Sequence, residues 1–220
     1  MPVALLPALE RWVNFKVSQV SPIRKAVPEL SSHDRLIGVA KHLFSSSGYE
    51  NTTTVAIARD AKTSESQLVK HFGSKEGLLE AVFEQGWGSL RLQMATLQTI
   101  SSPQKQLKVL MHMVVQLFTE DPELRDLMLL EGRRIRREGK MIMLTRSYTE
   151  FVAFVDSVIQ RAQAGRPSEY PAQLVRSSLI GMFEGVLRDF VLHERFGYPA
   201  SYSLAEAEKF VSSLVDRLFA

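Results

Sequence analysis

The chain has no cysteine in its 220 residues, which excludes a disulfide framework and any thiolate metal site and suits a reducing cytoplasm. Long apolar runs are missing too. The uninterrupted stretches last only a few residues, far short of the roughly 20 that span a bilayer, so no membrane partner is expected. The opening MPVALLPALERW has no basic leader, and Pro7 breaks its apolar stretch, so it does not read as a signal peptide. Runs alternating with period two are scarce, so strands are not expected and the fold class reads as all-α. The usual marks of catalysis are absent: there is no HExxH, P-loop, GxSxG or dinucleotide glycine fingerprint, and the five histidines are scattered. Glu131 and Glu138, expected on one helix face, are surface carboxylates without the burial that acid–base work needs. These gaps argue for a protein that is no enzyme and that uses neither metal nor cofactor.

What is present concentrates in residues 48–75, GYENTTTVAIARDAKTSESQLVKHFGSK. Two short segments with one apolar face each sit there, each opened by a hydroxyl residue. The first is expected to start at Thr53 and bury Ile57, Ala58 and Ala61. The second starts at Ser64, buries Leu68 and Phe72, and stops at Gly73. A hydroxyl side chain caps free backbone N–H groups, and glycine after the last turn tolerates a left-handed exit. Helices this short must pack on a neighbour. The neighbour is a helix capped by Ser31 and Asp34, with Leu36, Ile37, Ala40, Leu43 and Phe44 in one stripe and an end at Gly48. The pattern is a helix-turn-helix, whose second helix enters the DNA major groove.

The charge agrees in sign. Residues 1–75 hold ten Lys/Arg against six Asp/Glu, and residues 76–220 hold seventeen against eighteen, so the excess cation lies with the helix-turn-helix, where phosphate needs it. Residues 1–31 read as an arm, with Leu9, Trp12, Val13, Val17 and Val20 at helical spacing before Pro22 and Pro28. Residues 32–77 read as the DNA-binding domain and 78–220 as a larger helical domain for ligand binding and dimerisation. Ser74 caps a long helix through Leu78, Leu79, Val82, Phe83, Trp87 and Leu90 that joins the two. Further helices are expected near 103–119, 122–137, 141–164, 171–195 and 203–219.

From Asp34 to Phe83 the chain resembles the TetR (tetracycline-repressor-like) family of transcriptional regulators. Gly48-Tyr49, Thr52-Thr53, Ile57-Ala58, Ala61, Ser64, Leu68, His71-Phe72 and Ser74-Lys75-Glu76 carry the resemblance in register. It implies an all-helical effector-binding domain behind the helix-turn-helix and a homodimer. Two positions depart from the pattern. The turn glycine usual in the family is Lys62 here, so the turn must place a non-glycine residue in a strained conformation or do without one. A tyrosine common in the second helix is Val69, which has no hydroxyl for a phosphate.

With Leu68 and Phe72 inward, Glu65, Ser66, Gln67, Lys70 and His71 lie nearer the groove. Gln67 suits adenine, or else completes a capping box with Ser64, and Lys70 suits guanine or a phosphate. Glu65 fits first-turn helix stabilisation. Thr53 and Lys75 sit at helix starts that attract phosphate. The expected DNA contacts are therefore Thr53, Ser64, Ser66, Gln67, Lys70, His71 and Lys75.

Seven of the eight methionines lie between residues 94 and 182, in company with several phenylalanines. Flexible thioethers and aromatics suit either plain core or a cavity for an apolar or aromatic effector. Met111, Phe118, Met128, Phe151, Phe154 and Phe183 are the expected lining. The five basic groups of EGRRIRREGK, residues 131–140, read as a solvated helix end, with anion capture as the alternative. Ser177, Gly181 and Gly185 at four-residue steps permit close approach of another helix, and with Phe210 and Leu214 they form the expected dimer interface. Together these features predict a cytoplasmic, ligand-responsive homodimer that binds a palindromic operator, most simply as a repressor. The alternatives are a helical small-molecule-binding protein or enzyme whose amino-terminal domain is structural, and a dimeric interaction protein with no ligand.

Overall fold

The computed structural model describes residues 30–164, 170–199 and 202–219. The expected arm helix around Leu9 and Trp12 lies outside the described residues. The fold is all-α, with an amino-terminal helix-turn-helix followed by a larger helical bundle. In order come α1 (Ser32–Ser47), α2 (Thr54–Asp60), α3 (Glu65–Phe72), α4 (Lys75–Leu97), α5 (Pro103–Glu120), α6 (Pro122–Asp126), a π-helical stretch (Leu127–Glu131), β1 (Arg136–Arg137), β2 (Lys140–Met141), α7 (Arg146–Gln163), α8 (Ala172–Phe196) and α9 (Leu204–Leu218).

Side-chain caps set most of the helix starts. Ser31 accepts the Asp34 N–H at 3.1 Å, Thr53 that of Ala56 at 3.2 Å, Ser64 that of Gln67 at 3.2 Å and Ser74 that of Gly77 at 3.1 Å. Gly48 (φ 83°) and Gly73 (φ 76°) close α1 and α3 in the left-handed region that glycine enters freely. The turn between α2 and α3 makes the same bend without glycine: Lys62 itself sits at φ 51°. The Arg35 Nε–H, donated to the Ala61 carbonyl at 3.0 Å, ties that turn to α1.

Helix α4 is the axis of the fold. It buries Leu78, Leu79, Val82, Phe83, Trp87, Leu90, Met94 and Leu97 and packs on α1, α5 and α7. At Gly86 the α6 helix comes so close that an added Cβ would lie 2.4 Å from Leu124. Residues 31–220 form one compact unit, and α4 runs straight through the domain boundary expected at residues 77–78.

The expected helices at 103–119, 171–195 and 203–219 appear with ends shifted by a residue or two. The expected helix at 122–137 does not. It loses α-helical form after Asp126, passes through the π-helical stretch and gives way to a short antiparallel hairpin in which Arg136 pairs with Met141 and Arg137 with Lys140. Strands were not expected, and the physical reason for this one is the two-residue turn Glu138-Gly139. Both residues have positive φ (51° and 78°), the geometry of a type I′ hairpin turn. Glu131 and Glu138 therefore do not share a helix face, and the basic run 133–140 is not a helix end. The helix expected from residue 141 starts instead at Arg146, where Thr145 caps it by accepting the Tyr148 N–H at 3.2 Å.

Candidate functional site

Helix α3 presents two chemically different sides. Leu68 is fully buried and Phe72 nearly so, while Ser66, Val69, Lys70 and His71 are exposed and Gln67 is half-exposed. The Ser64 hydroxyl lies 2.8 Å from that of Ser66 and caps the helix. Glu65 accepts from the Thr54 hydroxyl, linking the first turns of α2 and α3, which agrees with a stabilising role for that carboxylate. Thr53 caps α2 and is exposed. His71 Nε2 lies 3.0 Å from the Ser32 hydroxyl, and its ring packs against His33 and Phe72, so it braces α3 on the start of α1. Val69, which the sequence reading treated only as a lost hydroxyl, is 52% exposed in the middle of the outward face. An exposed branched apolar side chain there suits the methyl group of thymine.

Lys75 has acceptors of its own. Its ammonium donates to the carbonyls of Tyr49 and Thr52 at 3.0 and 3.1 Å and stands 4.2 Å from the centre of the Tyr49 ring. The Tyr49 hydroxyl donates to Glu76 at 2.9 Å, and burial, reinforced by that carboxylate, pushes the phenol well above its ordinary range. Lys75 thus holds the loop between α1 and α2 against the start of α4, with one N–H left for a phosphate. Its sequence gives no sign of this, because the two carbonyls lie more than twenty residues away.

Behind this face, α4, α5, the π-helical stretch, α7 and α8 enclose an apolar cavity of about 80 Å³. A single water needs roughly 10–15 Å³, so this is a built space and not a packing flaw. Met111, Phe118, Met128, Phe151 and Phe183 all line it. Phe154 does not: it sits half-buried against the core outside the lining. Trp87, Met143 and Tyr148 line it unpredicted, because their place depends on how α4 and α7 cross and on the link from β2 to α7. The Trp87 and Tyr148 rings lie 5.0 Å apart, and Trp87 and Phe151 4.9 Å.

The one carboxylate in the wall is Glu184, which takes a hydrogen bond from Arg133. Burial raises the Tyr148 pKa, the Glu184 charge adds to this, and Arg133 and Arg176 oppose it. Arg137, at the hairpin, reaches the other way. It donates to Glu80 at 2.6 Å and lies so close to Gly77 that an added Cβ would sit 2.9 Å from its guanidinium. Among the described residues no cluster of His, Asp and Glu has the makings of a metal site.

Residues 36–82 match the family model described as bacterial regulatory proteins, tetR family. That segment, the helix-turn-helix with the start of α4, is thus of the tetR family type. No curated protein matches it significantly in a sequence search. Solved structures share its fold. The fatty acid degradation regulator FadR from Bacillus halodurans superimposes with a TM-score of 0.73 at 19% identity, over 85% of this chain and 95% of its own. FadR from Bacillus subtilis, solved with stearoyl-CoA, gives 0.73 at 17% identity over 83% and 97%. AibR, solved with isovaleryl coenzyme A and operator DNA, gives 0.62 at 21% identity over 86% and 98%. At these identities the match shows a shared fold, which takes in the helical bundle as well as the helix-turn-helix. Among the described residues no helix is long and apolar enough to cross a membrane.

On α8 and α9 the expected dimer residues are bare. Ser177 and Gly181 are exposed, Gly185 and Leu214 are half-exposed, and Phe210 is 55% exposed. A Cβ built on Gly181 or Gly185 would meet nothing within 4 Å.

Proposed function

We propose that this chain is a regulator of the TetR family, a cytoplasmic, non-enzymatic repressor that binds a palindromic operator as a homodimer and leaves it when an apolar effector fills the cavity. The observation that carries the reading is α4. Its first turn packs closely on the end of α3, where Gly77 lies against the Phe72 carbonyl, and ten residues on, about 15 Å along the axis, Trp87 lines the cavity. One stiff element thereby touches both the DNA-facing surface and the ligand space. The cavity also weighs against a purely interacting protein, for which a solid core would be expected at that place.

Gln67, Lys70 and Val69 read base edges in this scheme, with adenine, guanine and thymine as their natural partners. Thr53, Ser64, Ser66, His71 and the remaining N–H of Lys75 serve the phosphates. The bare stripe of Ser177, Gly181 and Gly185, flanked by Phe210 and Leu214, packs on its twofold mate and sets the recognition helices on successive major grooves. Two proteins of the same fold, solved with stearoyl-CoA and with isovaleryl coenzyme A, support an acyl compound as the apolar effector. The effector acts only by binding better to the arrangement whose recognition helices no longer fit both half-sites.

The test is selection of bound fragments from genomic DNA, followed by mobility-shift titration with and without acyl compounds. Sequence-preferring binding by a dimer, lost on addition of the effector, is the expected result. A dimer with no sequence preference, or a monomer, rejects the regulator reading.

A further inference from the structure

The cavity wall holds one polar group with nothing to do. Trp87 is 6% exposed, and its indole N–H is buried without any hydrogen-bond acceptor. An orphaned buried donor is destabilising, and native proteins keep few of them. Trp87 is also a lining residue, tilted against the rings of Tyr148 and Phe151 in a space walled mainly by apolar side chains, with the Glu184 carboxylate, paired to Arg133, as the charged exception. A core position filled by a wholly apolar side chain would leave no donor unpaired.

We infer that the Trp87 N–H is a specificity determinant that hydrogen-bonds a carbonyl oxygen of the effector, so that the cavity selects carbonyl-bearing acyl compounds over hydrocarbon or thioether analogues of the same shape. This rests on the effector reading above and adds to it the atom that distinguishes ligands. An acceptor offered to this N–H replaces no protein partner, so its gain is not offset by a broken protein bond. A ligand of equal size without an acceptor fills the same volume and leaves the N–H orphaned. Discrimination of this type is sharper than discrimination by one methylene, because it turns on an unpaired buried polar group.

The experiment titrates full-length protein with isovaleryl- and stearoyl-coenzyme A and with their thioether analogues, in which CH2 replaces the carbonyl. Wild type is compared with Trp87→Phe, which keeps an aromatic ring and removes the donor. The expected result is that wild type prefers the thioester about tenfold over the thioether and that Trp87→Phe binds both equally. The indole N–H resonance of Trp87 should move downfield with the thioester and not with the thioether. Preference for the thioester that survives in Trp87→Phe, or no preference in wild type, overturns the inference and leaves the effector reading standing. Binding of none of the four compounds by wild type overturns both. If Trp87→Phe fails to fold, the wild-type N–H shift decides alone.

Discussion

The three amino-terminal helices and the bundle behind them hold their shapes by different means. In the first, each helix start is capped by Ser31, Thr53 or Ser64, α1 and α3 end on positive-φ glycines, and Leu36, Ile57 and Leu68 are sealed completely. In the second, methionines crowd a void, a π-helical stretch interrupts the backbone, and a tryptophan N–H is left unpaired. The difference is what the proposed function asks of each half. A surface that must match a rigid duplex at fixed spacing needs one conformation, whereas a cavity that answers to a ligand needs room and deformable walls.

The largest effect that can break this comparison comes from matched truncations. Leu68→Ala removes a fully buried side chain with no space around it and is expected to cost about 3 kcal/mol. Met111→Ala trims a half-buried side chain that already borders a void and should cost about 1 kcal/mol. Urea unfolding of both variants checks this. Equal losses would show that the cavity wall is packed as tightly as the DNA-facing core.

Next in size is the division of labour on the DNA-facing side. Gln67→Ala and Lys70→Ala should each lower operator affinity by about 1–3 kcal/mol in fluorescence anisotropy while the melting temperature stays unchanged. Lys75→Ala should lower both, since its ammonium holds the Tyr49 and Thr52 carbonyls. A Lys75 variant with full stability and lost affinity would return that residue to a purely phosphate-binding role.

This contrast also explains what could be read from the residues alone. Caps and glycine exits are local, so Ser64, Leu68, Phe72 and Gly73 announce α3 within ten residues. The two carbonyl partners of Lys75 lie across a tertiary contact, and no spacing reveals them. The hairpin at 136–141 was hidden because its turn is Glu-Gly, without the Asn or Asp that usually signals a type I′ bend, inside a run whose charges suit a helix. Five nominated cavity residues, on α5, the π-helical stretch, α7 and α8, reached the lining because their apolar side chains face the space between these elements. Phe154 and Trp87 were misjudged because a rotation of a few tens of degrees about a helix axis decides which side of the wall a residue meets.

A smaller effect, set by pH, touches both halves at once. Glu84 accepts the Ser147 N–H at 2.9 Å and its hydroxyl at 2.7 Å. Burial pushes its pKa up, but these bonds outweigh burial and the net shift is down. Glu76 is lowered too, by its own backbone N–H first, against some burial, and then by Ser74, Tyr49 and Lys75. A carboxylate with a depressed folded pKa contributes stability that is complete above its unfolded value, near 4.5, and is lost as pH falls through the folded value. Stability should therefore decline as the solution is acidified below that point. Glu84→Gln should flatten the decline for amides of α7 and leave it unchanged for α3, as read by hydrogen exchange. A common slope in both regions would mean that acid acts on the whole unit and not on two separate anchors.

The smallest effect bears on the one strained point in the otherwise locally consistent DNA-facing half. A side chain in the left-handed region costs about 1–2 kcal/mol, and Lys62 sits there at φ 51° in the turn between α2 and α3. Lys62→Gly removes that cost but adds entropy to the unfolded chain, worth roughly 0.5–1 kcal/mol the other way. The net expectation is a gain of about 0.5 kcal/mol and a rise in melting temperature of roughly 1–2 °C. Lys62 is exposed, so the same change withdraws a cation from the side that meets phosphates. If the ammonium reaches the backbone, the salt dependence of operator binding should become shallower by about one counterion. A more stable variant with weaker, less salt-sensitive binding would show why strain is retained here: the turn gives up stability for a charge that glycine cannot carry. A more stable variant with unchanged binding would leave the strain without a function.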